Sequence, residues 1–245
     1  MRLIAAGGGP PQSAYRAGIE ICLDPGALTY WRMPGGAGVP PVFSFEGSAN
    51  AADIEVSYPV PTRIDEDGTE AFGYRDRVIF PVRVTPQDAA SPARLVLNVS
   101  YAVCSRICLP AKAEARLTLL PAPKAGSETL SPEAAAIAAA EAAVPLRLTP
   151  EQRDAKVAIT RDETEPIPTW RLAPRGGGGV QDLFAEAPQG WYFETRKSGR
   201  PDEFLIVAVE KPRTGSRAPV TLILTVRNEQ QSYEFAVDLD AASVP

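Results

Sequence analysis

The chain contains no histidine, and this removes whole classes of mechanism. Ser-His-Asp and Cys-His catalysis and most zinc sites need an imidazole, so any chemistry falls to Cys, Asp, Glu, Lys, Arg or Tyr. Cysteine is scarce as well, with three among 245 residues. A basic surplus is missing: 25 Lys+Arg stand against 30 Asp+Glu, giving a net charge of −5 and a pI near 5.0. Phosphate-backbone binding depends on such a surplus, so no nucleic acid is expected as a partner. No apolar run approaches the roughly 18 residues of a membrane span. The opening MRLIAAGGGPP lacks the apolar core of a secretory signal, and the chain as it stands is expected to be soluble.

What is present is enough apolar material, 44% of the residues, for two domains that each bury a core. In the first 120 positions, AYRAGIEICL, PPVFSF, ADIEVSYPV, DRVIFPVRVT, ARLVLNVSYAV and AKAEARLTLL read as short strands divided by turn residues. That is a sandwich pattern rather than a βαβ pattern. LSPEAAAIAAAEAAVP then supplies a Ser131 cap, Pro132 in the first turn, an early Glu133 and an alanine run closed by Pro145. The expected helix covers 132–143 and joins two domains. Beyond it, RLAPR, WYFETR, EFLIVAVEK, PVTLILTVRN and SYEFAVDLD are again strands, separated by loop-like GGGG, KSGRPD and PRTGSRA. Gly176 to Gly179 lack a following Gly-Lys-Ser/Thr, so a flexible loop is expected there and no phosphate loop. The expected class is all-β: two β-sandwiches over 1–122 and 147–245, joined by a linker with a short helix over 123–146.

Two of the cysteines stand four positions apart in YAVCSRICLPAKAEARLTL, residues 101 to 119. On one extended strand they would lie roughly 13 Å apart, too far for a disulfide, whose Cα atoms are about 4.4–6.8 Å apart. The chain must turn between them. A hairpin with Ser105, Arg106 and Ile107 in its loop pairs Cys104 with Cys108, Ser100 with Lys112, Asn98 with Glu114 and Val96 with Arg116. The same register sets Val103, Tyr101, Val99, Leu97 and Leu95 against Leu109, Ala111, Ala113, Ala115 and Leu117. One register thus sorts a mostly polar face from an apolar one. If 104:108 is a non-hydrogen-bonded pair, so is 102:110, and Pro110 costs no ladder bond provided its other side is an open edge. The expectation is a disulfide at the tip of an edge hairpin, on the polar face and outside the core.

Such a bridge is either a structural staple or a redox pair. A five-residue loop constrains the unfolded chain by only about 2 kcal/mol, which weakens the case for a staple. Two thiolates without histidine leave a four-ligand metal shell unfilled, so no metal is expected. Cys22 lies in phase with Arg16 and Glu20 and out of phase with Ile19, Ile21 and Leu23, and is expected to be an unpaired thiol facing outward or an edge.

The same residues resemble a known family. YAVCSRICLPAKAEARLTL, FGYRDRVIFPVRVTP and GALTYWRMPGGAGVPPVFSF are similar to the amino-terminal periplasmic domain of the thiol:disulfide interchange protein DsbD, especially its ScsB-like branch. Residues 145 to 245 resemble the second β-domain of that branch. The resemblance implies immunoglobulin-like folds and a reversible disulfide between Cys104 and Cys108. It implies no added cofactor, small-molecule or otherwise. The implied partners are a membrane-embedded electron-donor domain and periplasmic thioredoxin-like proteins. The implied location is the periplasm, as a free-standing chain or as the amino-terminal part of a membrane protein. By the same mapping Cys108 is the sulfur that joins a partner.

The better-known members shield their cysteines with an aromatic-tipped cap loop. Aligned on YRD, IDEDGTEAFGYRD keeps acidic Asp65 and Glu66 but has Asp67 where that aromatic would stand. Phe72 and Tyr74 are the candidate substitutes, each also a candidate core residue, and the acidic residues are alternatively a solvated turn. Beside the pair, Asp65 and Glu66 would raise a thiol pKa, and Arg106 would lower it. The rival from another class is a non-catalytic periplasmic binding or structural module with a structural disulfide. Arg106→Ala should raise the reactive thiol's pKa, read from alkylation rates against pH; an unchanged value would place the guanidinium away from both sulfurs.

Overall fold

The computed structural model describes residues 1–7, 14–36, 38–66, 68–105, 107–121, 131–176, 178–212 and 219–240. Arg106 and Asp67, singled out above, lie outside the described residues, as do parts of the expected linker and of the GGGG and PRTGSRA loops. The chain divides into two compact units, Met1–Val144 and Pro145–Pro245. The class is all-β, with mainly antiparallel sheets of immunoglobulin-like sandwich type and two short helices.

The first unit holds β1 (Arg2–Ala5), β2 (Tyr15–Cys22), β3 (Leu28–Gly35), β4 (Val42–Ser44), β5 (Asp53–Val56), β6 (Thr62–Glu66), β7 (Thr69–Arg75), β8 (Arg77–Thr85), β9 (Ala93–Cys104), β10 (Cys108–Leu119) and helix α1 (Ala134–Ala142). One sheet has the order β1-β2-β8-β5 and the other β10-β9-β3-β7-β6, with β4 also paired to β9. Ala17, Ile19 and Ile21 of β2 and Phe80, Val82 and Val84 of β8 are buried with Trp31, Leu95, Leu97 and Val99 of the second sheet. Phe43, Tyr58 and Tyr74 ring Phe80 at centroid distances of 5.2 to 5.4 Å. Here the alternation of β2 and β8 does what the sequence pattern requires, filling the space between two sheets.

The opposite face of β2 was expected to look outward, yet Glu20 is buried. Helix α1 covers it: Ala134 and Ile137 pack on Ile4, Ala6 and Ile79. Gly18 leaves the room, because a Cβ there would stand 2.8 Å from Ile79 Cγ2. Glu20 accepts hydrogen bonds from Arg2 and Arg77 at 2.5 and 2.6 Å. Burial pushes its carboxyl up, but the two guanidinium groups together outweigh this and hold it below the ordinary range. The alanine run is therefore an integral layer of the first unit rather than a free connector. Its cap is also not the expected one. The Ser131 hydroxyl donates to the Ala5 carbonyl, and Glu133 holds the cap position without a side-chain capping bond. Cys22, past the end of the helix-covered face, is free and exposed.

The β9–β10 register is the one that sorts the two strands' residues: Cys104 faces Cys108, Ser100 faces Lys112 and Val99 faces Ala113. β10 is an edge strand, which accommodates Pro110. The burial of the tip departs from expectation. Cys104 has 0% exposure and Ala102 is buried, so the pair is not wholly outside the core. The reason is the other edge of β9, where Leu28 of β3 pairs with Cys104 and the sheet continues through β7 to β6.

The second unit holds β11 (Leu146–Arg147), α2 (Pro150–Lys156), β12 (Val157–Arg161), β13 (Thr169–Pro174), β14 (Val180–Glu186), β15 (Tyr192–Lys197), β16 (Phe204–Glu210), β17 (Val220–Asn228) and β18 (Tyr233–Leu239). Its sheets run β11-β18-β17-β14 and β12-β13-β16-β15 around Leu172, Leu183, Phe204, Ile206, Leu222, Leu224 and Val226. Helix α2 carries a capping box, Thr149 Oγ1 accepting from Gln152 N and Gln152 Oε1 accepting from Thr149 N.

Ile137→Ala should destabilise the first unit by about 2–5 kcal/mol through the cavity it leaves. Glu141→Ala, which removes only an exposed ion pair with Arg16, should change it by about 1 kcal/mol or less. Urea unfolding of both variants measures the contrast.

Candidate functional site: a half-buried disulfide under a curled sheet

A flat sheet in the order β10-β9-β3-β7-β6 would hold its outer strands about 19 Å apart, four spacings of ~4.8 Å. Instead, Glu66 at the end of β6 places Oε1 3.3 Å from Cys108 Sγ at the start of β10. The sheet has curled on itself. Cross-strand pairing sets Cys104 with Leu28, Tyr30 with Gly73 and Ile64 with Ala71, so these residues share one face. That face is concave, and Leu28, Tyr30, Ile64, Ala71 and Ala102 enclose Cys104 as one apolar cluster. The irregular register between Tyr30 and Gly35 supplies the bend. Two glycines make the closeness possible. A Cβ on Gly73 would stand 2.2 Å from the Thr29 carbonyl oxygen, and one on Gly38, at φ +102°, would stand 2.2 Å from the Tyr30 ring.

Cys104 and Cys108 are joined by a disulfide, with Cα atoms 4.1 Å apart. The two sulfurs sit in unlike surroundings. Cys104 is fully buried, whereas Cys108 is exposed beside Ile107 and Leu109, themselves exposed at 66% and 56%. Tyr30, also fully buried, points its hydroxyl into the gap, 2.8 Å from Cys104 Sγ, 3.5 Å from Cys108 Sγ and 2.9 Å from Glu66 Oε2. A phenol has one proton to give. In the oxidised state it goes to the Glu66 carboxylate, a much better acceptor than a neutral disulfide sulfur. Burial, reinforced by the hydrogen bond to Glu66 and its charge, pushes the Tyr30 phenol up, so it stays a donor throughout the accessible pH range.

The acidic pair from the sequence separates in the structure. Glu66 reaches the sulfurs, while Asp65 turns to the hairpin loop and accepts a hydrogen bond from the Gly68 N–H at 2.7 Å. Phe72 and Tyr74 are not caps. Strand alternation puts both on the face of β7 opposite Ala71 and Gly73. Phe72 lies under the Arg63 guanidinium at 5.1 Å, and Tyr74 donates to the Pro59 carbonyl at 2.7 Å. Sequence reasoning missed Tyr30. Nothing local ties it to a cysteine 74 positions away. Glu66, Cys104 and Cys108 also form a group of three ligand atoms within 4.8 Å of one another, the sulfurs being available as ligands only when reduced.

Residues 6–120 match the family described as Thiol:disulfide interchange protein DsbD, N-terminal. Residues 6–120 form a DsbD N-terminal-like domain. Among solved structures, the chain is similar to the N-terminal periplasmic domain of ScsB from Proteus mirabilis at 21% identity, with a TM-score of 0.72 over 96% of this chain and 91% of that one. This shows that the fold extends through both units. Much weaker likenesses are to the human Desmocollin-1 ectodomain, at 10% identity and TM-score 0.21 over 100% of this chain and 36% of that one. An endo-fucoidan hydrolase of glycoside hydrolase family 107 stands at 11% and 0.21 over 97% and 30%. No curated protein matches the chain. Among the described residues no helix is long and apolar enough to cross a membrane.

A carboxylate this close to a sulfur opposes a thiolate there, so Glu66→Gln should lower the Cys108 thiol's pKa and speed alkylation near neutral pH. Asp65→Asn, which touches only the turn, should leave the pKa unchanged. Alkylation rates of the two reduced variants against pH separate these outcomes.

Proposed function

We propose that the first unit is a periplasmic thiol–disulfide exchange domain. In this reading it relays electrons from a membrane-embedded reductase domain to thioredoxin-like proteins through a reversible Cys104–Cys108 disulfide. The observation that carries it is the asymmetry of the bond, with an exposed Cys108 facing solvent and a fully buried Cys104 behind it. A staple needs no such asymmetry. Exchange does, because attack must arrive on one sulfur while the other leaves.

A donor thiolate attacks Cys108 Sγ, forming a mixed disulfide and expelling Cys104 as a thiolate. The leaving charge is born 2.8 Å from the Tyr30 hydroxyl, which can turn its proton from Glu66 to the new anion. The donor's second thiolate then attacks its own sulfur in the mixed disulfide, releasing Cys108. Two electrons have moved to this chain, and solvent protons complete the two thiols. In the forward step the reduced Cys108 attacks an acceptor disulfide and Cys104 resolves the intermediate. Glu66, an anion 3.3 Å from Cys108 Sγ, keeps that thiol protonated between encounters and limits reaction with adventitious disulfides. Residues 1–122 carry this chemistry, helix α1 packs on them as a layer of the same unit, and 147–245 form a second sandwich. No bound cofactor takes part.

The reduction potential should lie above about −300 mV, the range below which structural disulfides fall. Cys108→Ser should abolish exchange with a thioredoxin-like protein while cooperative unfolding persists. Cys104→Ala should accumulate a mixed disulfide through Cys108. A potential below that bound, with loss of cooperative folding in the cysteine variants, would make the bond a staple.

A further inference from the structure

Histidine is absent from the chain, and two cysteines alone do not make a metal shell. Among the described residues, tertiary folding changes the inventory at one place. Curling of the sheet brings Glu66 to the sulfurs, so that one carboxylate oxygen and both Sγ atoms lie within 4.8 Å of one another. A tetrahedral zinc centre needs Zn–S of about 2.3 Å, Zn–O of about 2.0–2.2 Å and sulfurs about 3.8 Å apart. Two reduced, non-bonded sulfurs meet the last requirement with small side-chain rotations.

We propose that the reduced site captures a thiophilic divalent cation of the zinc class through Cys104 Sγ, Cys108 Sγ and a Glu66 carboxylate oxygen, with water in the fourth position. Three observations converge on this ligand. The donor set of two thiolates and one carboxylate suits zinc and its heavier congener cadmium rather than the hard cations, which prefer all-oxygen shells. Exposed Cys108 and half-buried Glu66 open the site on one side, while buried Cys104 closes the other. Tyr30 stands behind as an outer partner, its hydroxyl 2.9 Å from Glu66 Oε2 and 2.8 Å from Cys104 Sγ, where its single proton can be donated to either ligand.

The reaction moves no electrons. The cation replaces two thiol protons, which are released to solvent, and the carboxylate enters already ionised. Its consequence is an interruption of exchange. The lone pairs that would attack a disulfide are held by the metal, so the loaded domain neither passes electrons nor is oxidised until the cation leaves. The oxidised domain has no thiolate to offer and does not bind.

The inference rests on the exchange reading only in requiring that the bond be reducible. The test uses the full chain with Cys22→Ser, which removes the exposed unpaired thiol, reduced and freed of reductant under anaerobic conditions. Cadmium titration followed by its thiolate charge-transfer absorption, and zinc competition against a chromophoric chelator, should give one ion per chain, and none for the oxidised protein. Glu66→Gln should weaken zinc at least about tenfold with both thiols still titratable, and Tyr30→Phe about 10- to 100-fold. Zinc-edge absorption of the loaded protein should show two sulfur neighbours. Unchanged affinity in Glu66→Gln, or one ion per two chains with four sulfurs, overturns the site while leaving exchange intact. Failure of the pair to reduce at about −300 mV overturns both.

Discussion

The curl that carries β6 from one end of its sheet to the sulfurs at the other is the constraint on which the site depends. It turns a row of side chains on one face into an enclosure. Without it Cys104 would be exposed, as Asn98 and Ser100 are farther down the same strand. With it, Tyr30 and Glu66 acquire positions against two sulfurs that no local sequence feature assigns to them. The glycines at 38 and 73 and the irregular register after Tyr30 are the devices that let the backbone come so close.

The chemistry follows from that enclosure. An exposed sulfur with a buried partner gives a bond that can be approached from one direction only. A neutral phenol held between a carboxylate and the buried sulfur can shift its single proton as charge appears. A carboxylate beside the exposed sulfur opposes a thiolate there. The same three ligand atoms make the reduced state a place where a thiophilic cation can lodge, so the disulfide and the bound cation become mutually exclusive uses of one pair.

The rest of the first unit is a support for this face. Helix α1 seals the far side of the other sheet through Ile137, and the Glu20 carboxylate is held there by two arginines. Because that carboxyl is depressed in the folded state, its contribution is present above the unfolded pKa and is lost as pH falls through the folded one. The second unit repeats the sandwich with its own core, and its capping box at Thr149 was a readable signal, S/T-x-x-E/Q, that the strand-dominated pattern around it obscured.

Much of this protein was determined by local sequence. Alternation along β9 and β10 left one register that satisfied both faces, and with it the Cys104–Cys108 pairing and the edge position of Pro110. Strand-length apolar runs set the all-β class, and the alanine run specified a helix, because such signals depend on neighbours two to four residues apart. What the sequence could not decide was which surface each element would cover. The helix's docking on Gly18, the burial of Cys104, the division of Asp65 from Glu66, the turning of Phe72 and Tyr74 away from the sulfurs and the arrival of Tyr30 are all contacts over long separations. They were decided by sheet curvature and packing, since periodicity states which residues share a face but not what that face will meet.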